Sequence, residues 1–343
     1  IVARYFMKSE EADLLRKHIL EHSRIRYIID TRNVQVFGRV NVLTCIIVLE
    51  RHDSPTESKS NHKMKIVNVK DTFRGTVEQL FEHIEEHIQE DEVSDGWVDI
   101  FEKEQGGLSE GPWTLEPPRV ERLLDKIKRD SWDLESPETC IVGVGYDTEL
   151  NEARLDRELE KKEAPKHGVF ILTDREGSEL NLEKDLLVKM VKGFQIQRYA
   201  LLDQGYLMLN TNAQTDIDRY PNVKKHLGRF RRQLEERDAM PRCAWFGVGL
   251  PKNRELFEEN PTKILVPKYA TGNKFALDDG ERYYCISDAY IIVRNSQSKI
   301  DLRYILAVLN SRMMEFYHKK TGKLKREGYY DYFAEQLRRL PNK

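Results

Sequence analysis

The chain has 343 residues, 39% of them hydrophobic, enough length for two domains and enough apolar material for real cores. Its formal net charge of -2 excludes a protein that is basic throughout. No apolar run is long enough to span a bilayer and no signal peptide is visible, so the expectation is a cytoplasmic protein with no membrane partner.

Ile1–Phe6 reads as a strand remnant, and the chain opens without Met, inside an apolar run. The expectation is an excised or proteolysed piece of a longer protein. Ser9 is placed to cap a helix over Glu10–Glu21, with Leu14, Leu15, His18 and Ile19 inward. Ile25–Ile29 and Val40–Leu49 are apolar and rich in β-branched residues, as buried strands are. Residues 1–51 thus alternate strand, helix, strand, strand, like the last part of an α/β sheet. Asp53–Lys63 is a polar loop, Met64–Val69 a strand and Arg74–Gln89 an acidic helix, and Glu90–Gly111 is expected to be an acidic linker.

A second unit is expected from Trp113, dividing the chain into 1–110 and 111–343. It holds a helix over Pro117–Lys128, strands at Thr139–Tyr146, Val169–Thr173, Leu186–Val191 and Tyr206–Asn210, and a charged loop or helix at Asn151–Lys166. Asp216 or Asp218 is placed to cap the next helix, with Pro221 in its first turn. Val223, Leu227, Phe230 and Leu234 recur at spacings of four, three and four, one helical face. Lys224, Lys225, Arg229, Arg231, Arg232 and Arg237 occupy the other faces. Lys263–Tyr269 and Tyr290–Val293 follow as strands, and Leu302–Tyr317 as an apolar helix with Leu306, Leu309, Met313 and Phe316 in the core.

Charge is unevenly spread. Val77–Glu110 carries twelve acidic residues against one basic, and Lys224–Arg254 nine basic against three acidic, which allows a local nucleic-acid surface on a neutral protein. The four cysteines form no CxxC pair and read as buried reduced thiols. His83 and His87 lie four apart on the acidic helix without HExxH order, so no metal site is expected.

Taken in order, IVARYFMKSEEADLLRKHIL, YIIDTRNVQVFGRVNVLTCIIVLER, KGFQIQRY, DIDRYPNVKKHLGRFRRQLEERD, AWFGVG, PTKILVPKYATGNKFALD, YIIV, ILAVLNSRMMEFYHKK and LRRLP resemble the C-terminal portion of an adenine-specific DNA methyltransferase. The resemblance is to restriction–modification enzymes with a TaqI-like specificity domain, including single-chain enzymes that also cut. It implies a mixed α/β chain: the C-terminal part of a Rossmann-like methyltransferase sheet, then an α+β target-recognition domain. The implied partners are double-stranded DNA and the preceding part of the same protein. The implied reaction moves a methyl group from S-adenosylmethionine to the adenine amine in the full-length protein, with no cofactor held by this chain. The family's Gly-rich cofactor loop and Asn/Asp-Pro-Pro-aromatic tetrapeptide are not among these residues; GVGY at 143–146 and FGVGL at 246–250 stand in the wrong part of the chain.

Methylating a paired adenine requires flipping it out of the stack, and an aromatic face replaces the lost stacking. In the resemblance that aromatic falls on Phe37, followed by Gly38; read from the residues alone, Phe37 is equally a core residue at a strand end. Around Gly193, Lys192, Gln195, Gln197, Arg198 and Tyr199 lie in a loop region, and Gln197 and Arg198 have the side chains that pair with adenine and guanine edges. Lys224, Lys225, Arg229, Arg231 and Arg232 suit phosphates, which position without specifying sequence. Lys268, Asn273, Lys274 and Arg282 flank a groove strand, and Lys319, Lys320, Lys323, Lys325 and Arg326 form a further basic loop. Trp245 reads as a packing residue. Two readings stay beside methyltransferase recognition: a non-catalytic DNA-binding module, and an RNA- or protein-binding domain. The missing interleaved aromatic-basic motif counts against RNA.

Overall fold

The computed structural model describes residues 1–343 except 33, 35, 38–41, 52–61, 149, 151–167, 238, 239, 241, 242, 250–252, 326, 327 and 343. The expected charged segment Asn151–Lys166, the loop from Asp53, Gly38 and Arg326 lie outside the described residues. The fold is mixed α/β with several sheets. Contacts divide the chain into two compact units, Ile1–Asp130 with Phe316–Asp331, and Ser131–Glu315 with Tyr332–Lys343. This differs from a division at 110, because the helix Pro118–Lys128 stays with the first unit, where Lys103 Nζ meets Glu121 Oε1 at 2.6 Å.

The first unit is built on a six-stranded sheet. Its order is Val2–Ala3, Thr44–Arg51, Ser23–Asp30, Lys63–Val69, Val98–Glu104, Glu92–Ser94. Only Ser23–Asp30 and Lys63–Val69 run parallel. Successive side chains of a strand point to opposite faces. Ile66 and its partner Phe101 therefore join one core with Phe6, Ile28 and Trp113, while Val67 and its partner Ile100 join another with Leu80 and Ile84. Leu80 and Ile84 come from the helix Val77–His87, whose start is fixed by a capping box between Thr76 and Gln79.

Two expectations change here. The segment 90–111 is not a linker: Glu92–Ser94 and Val98–Glu104 are strands of the sheet. Lysines of neighbouring segments answer its acidic residues, with Lys70 Nζ 3.1 Å from Asp99 and Lys63 Nζ 3.0 Å from Glu102. The N-terminal strand is also shorter than expected, because Arg4–Met7 forms a 3₁₀ turn that buries Phe6 and Met7.

The second unit holds a four-stranded antiparallel sheet ordered Ala276–Asp279, Thr262–Pro267, Ala289–Arg294, Cys140–Val144, and a three-stranded one ordered Leu187–Met190, Tyr206–Leu209, Ile171–Thr173. One core joins residues of both sheets, among them Leu172, Met208, Leu265 and Ile291. Lys263 and Asp278 form a fully buried ion pair at 2.8 Å, and the Tyr283 N–H donates to the same carboxylate oxygen at 2.7 Å.

The expected helix Leu302–Tyr317 is two helices, Leu302–Leu309 and Arg312–Thr321. The buried Asn310 between them donates to the Phe275 carbonyl at 2.8 Å and accepts from the Phe275 N–H at 3.1 Å. The break shifts the helical phase by one residue, so Met314 is buried and Met313, expected inside, is 50% exposed. All four cysteines are free thiols, Cys45, Cys140 and Cys285 of them buried. Among the described residues no helix is long and apolar enough to cross a membrane.

Candidate nucleic-acid interface

The basic stretch forms two short helices, Pro221–Gly228 and Arg231–Glu235, where one was expected. Val223, Leu227, Phe230 and Leu234 are all buried in the core of the second unit. Lys224, Lys225, Arg229, Arg231 and Arg232 are all exposed. An apolar stripe thus fixes a cationic face to a core. Arg237 is corrected: it is buried, and its guanidinium donates to the Leu234, Trp245 and Gly247 carbonyls at 3.1, 3.1 and 3.0 Å. Neither Asp216 nor Asp218 caps the first helix; Asp218 pairs instead with Lys224. Glu183 caps it, accepting from the Asn222 and Val223 N–H groups at 3.0 Å through its two carboxylate oxygens.

Within the face, Arg231 pairs with Glu235 at 2.8 Å and Arg232 with Glu236 at 3.1 Å. Exposed pairs of this kind contribute only about 0–1 kcal/mol, so a phosphate can replace the glutamate at little cost. Trp245 is a packing residue, as expected: it lies partly buried against the core, edge-on to Phe246, with the Arg231 guanidinium 4.9 Å above its ring.

Gly193 marks a close approach. A Cβ there would stand 2.6 Å from the Asp288 carbonyl oxygen, so only glycine fits. Its N–H donates to Asp288 Oδ2 at 2.9 Å, and the Lys268 N–H donates to the Asp288 carbonyl at 2.8 Å. Burial raises the Asp288 pKa, and the nearby Lys192 and Lys268 charges oppose that shift. Lys192 and Lys268 are thereby gathered around one carboxyl.

Beyond Gly193, Ile196–Gln197 and Ala200–Leu201 pair as a hairpin with Arg198 and Tyr199 at its turn. Tyr199 takes a left-handed φ of 65°, and its N–H donates to the Phe275 carbonyl at 2.9 Å. Arg198 donates to the Asn310 carbonyl. These bonds set the hairpin beside the segment that carries Lys274. Gln197 is half-buried and donates to the Phe194 carbonyl at 2.8 Å, while Arg198 and Tyr199 are exposed.

Gln195 is corrected as a surface contact. It is fully buried, accepts from the Lys192 N–H at 2.8 Å and donates to the Leu202 carbonyl at 2.7 Å, so it builds the hairpin's base. Asn273 is corrected likewise: it is buried, donates to the Leu309 carbonyl at 2.6 Å and accepts from the Tyr332 hydroxyl at 2.8 Å. Lys268 and Lys274 are half-buried and Arg282 exposed. Phe194 is 58% exposed, and the Asp288 hub, 95 positions from Gly193, escaped sequence reasoning.

Phe37 is 43% exposed in the first unit. Lys319 and Lys320 also fall in that unit, both half-buried, and Lys320 Nζ pairs with Glu116 at 2.7 Å. Lys320 is thus committed to an internal carboxylate.

S-adenosylmethionine does not fit the two glycine stretches. A Cβ on Gly145 would stand 2.0 Å from the Ile286 carbonyl oxygen, and one on Gly249 2.0 Å from that of Asp147. Both glycines serve backbone packing and leave no cradle. His83, Glu86 and His87 bring potential ligand atoms within 4.8 Å of one another, but His83 Nε2 is already bonded to Asp95 at 2.7 Å and Glu86 is exposed.

Residues 188–341 match the model of the TaqI-like C-terminal specificity domain. The Type II methyltransferase M.MjaIV of Methanocaldococcus jannaschii is 26% identical over 164 residues, 45% of this chain and 53% of that protein. The chain therefore spans about half the length of this curated relative. The Type IIL restriction-modification enzyme MmeI, solved in complex with DNA, matches with a TM-score of 0.56 and 13% identity over 98% of this chain and 38% of that one. The type IIG restriction endonuclease BpuSI matches with a TM-score of 0.38 and 11% identity over 99% of this chain and 39% of its own.

Proposed function

Since residues 188–341 carry a TaqI-like C-terminal specificity domain, we propose that this chain recognises double-stranded DNA for a restriction–modification methyltransferase. The observation that carries the reading is the cationic face: five exposed cations at 224–232, riding on helices whose opposite side is buried. Such a face binds the phosphate backbone and positions the protein without reading sequence. Sequence would be read by Gln197 and Arg198 from the hairpin beyond Gly193, since their side chains match the adenine and guanine edges in the major groove. Lys192, Lys268 and Lys274 would hold the strand beside it.

In the longer protein the acceptor would be the adenine exocyclic amine, and the six-stranded sheet of the first unit would be the end of a Rossmann-like catalytic domain. S-adenosylmethionine, which supplies the methyl group when bound, would be held outside residues 1–343. Phe37, 43% exposed, would stack on the flipped adenine.

Paired salt titrations on target and random duplex test the reading. Arg231→Ala is expected to weaken both alike and to flatten the slope of log affinity against log salt by about 0.9. Gln197→Ala is expected to relax preference at one or two base pairs by about 1–3 kcal/mol each, leaving random-duplex binding unchanged. If neither variant alters DNA binding, the recognition surface is not this one.

A further inference from the structure

The hairpin beyond Gly193 exposes apolar side chains as well as polar ones. Among the described residues, Phe194 is the most exposed large apolar side chain of the second unit, and Tyr199 and Leu202 are exposed in the same segment. Single exposed apolar residues are ordinary on a protein surface. Phe194 differs in how its backbone is held. Before it, the Gly193 N–H donates to Asp288 Oδ2 at 2.9 Å. After it, the fully buried Gln195 amide accepts from the Lys192 N–H at 2.8 Å and donates to the Leu202 carbonyl at 2.7 Å. The Gln195 N–H donates to the Lys192 carbonyl at 2.9 Å and closes the turn. Gln197 Nε2 donates to the Phe194 carbonyl itself at 2.8 Å. The phenyl ring therefore projects into water from a turn that is bonded on both sides.

Cations flank the aromatic groups. The Tyr206 ring lies edge-on to Phe194, with centroids 6.5 Å apart, and Lys192 Nζ stands 4.2 Å from the Tyr206 centroid. The face of that ring holds an ammonium beside the phenyl. At the hairpin's turn the Arg198 guanidinium lies 5.6 Å from the Tyr199 centroid. Tyr199 keeps its left-handed φ of 65°, a conformation that a bulky residue holds only where the surroundings demand it. Cations suit phosphates, whereas an apolar ring suits an apolar part of a base edge. In the major groove the apolar group by which a base pair is told apart is the C5-methyl of thymine. The Gln197 amide, after its bond to the Phe194 carbonyl, keeps one N–H and its oxygen for an adenine edge. Amide and ring together match the two bases of an A·T pair.

We propose that Phe194 is a specificity residue that reads thymine by covering its C5-methyl in the major groove. The inference rests on the DNA reading above, and it adds an apolar contact to the hydrogen bonds of Gln197 and Arg198. Withdrawing one methyl-sized group from water changes affinity about fourfold. A ring already ordered by its turn loses little freedom on making that contact. A ring wedged between base pairs would instead act on sequences generally.

The test uses the 343-residue chain and the duplex motif that it enriches from a random pool. Each thymine of that duplex is replaced in turn by deoxyuridine, which removes the methyl and leaves the pairing unchanged. Wild type is expected to lose affinity about fourfold at one such position. Phe194→Ala is expected to bind the unmodified duplex about fourfold more weakly and to be indifferent to that replacement. Its affinity and salt slope on random duplex should match wild type. Phe194→Leu, which keeps an apolar side chain, should retain part of the sensitivity. Both variants replace an exposed side chain and should melt with wild type. Indifference of wild type to every replacement overturns the proposal, as does a motif without an A·T pair. Undiminished sensitivity in Phe194→Ala also overturns it, by placing the methyl against another residue. Equal weakening on target and random duplex would make the ring a wedge and overturn it too. All these results leave DNA recognition standing. Absence of duplex binding by every form, or binding without an enriched motif, sinks the recognition reading and the proposal with it.

Discussion

Glu183→Ala removes the cap of the cationic helix, which is supplied from some forty residues earlier in the chain. The wild-type carboxylate accepts from the Asn222 and Val223 N–H groups, each at 3.0 Å. These are first-turn donors with no intrahelical partner. Loss of a capping acceptor costs about 1 kcal/mol, within a range of 0.5–2. The negative charge at the helix N-terminus adds roughly 0.3–1 kcal/mol. The sum, about 1.3–2 kcal/mol, should lower Tm by roughly 3–8 °C for a unit of this size. Glu183→Gln, which keeps one acceptor and loses the charge, should fall between. Because Val223 and Leu227 seat the helix in the core, the Ala variant should also weaken duplex binding for all sequences alike. The assay is thermal denaturation of the three forms with duplex binding at one salt concentration. A Glu183→Ala chain that melts within 1 °C of wild type would refute the capping argument.

The buried pair gives a second expectation: Asp278→Ala strands Lys263 and should cost about 3–5 kcal/mol by denaturant titration, while Lys263→Met with Asp278→Leu should recover most of it. A third concerns pH. The folded Lys8 pKa, about 8, lies below its unfolded value, so the unfolded chain holds more protons between the two. Stability should therefore rise as pH increases from about 8 towards 10.5, and differential scanning calorimetry should find that rise reduced in Lys8→Met. Fourth, Phe37→Ala in the longer protein should lower methylation of target DNA by about ten- to a hundredfold, the worth of roughly 1–3 kcal/mol of base stacking, while specific binding survives. Normal methylation with lost stability would make Phe37 a packing residue.

Local pattern carried much of the fold. The four-three-four spacing of Val223, Leu227, Phe230 and Leu234 placed all four in the core, although the helix breaks at Arg229–Phe230. What local pattern could not show was long-range partnership. Asp216 and Asp218 had the right chemistry and position for a cap, and Glu183, some forty residues earlier, took the role. Gln195 was expected among the DNA-contacting residues of a surface loop; its two backbone partners are visible only once the hairpin folds. In Val98–Glu104 the adjacent Ile100 and Phe101 are both buried, one in each core, so no period of two marked the strand and the acidic run hid it. The slip from Met313 to Met314 follows from Asn310, which binds the Phe275 backbone and ends one helix before the next begins.

Selection from a pool of random duplexes tests the central claim most directly. The 343-residue chain is incubated with the pool near physiological salt, and the retained duplexes are sequenced. The account predicts enrichment of one short motif, kept by Arg231→Ala at lower yield and relaxed at one or two positions by Gln197→Ala. Retention of duplexes without any enriched motif, or retention of none, would contradict it.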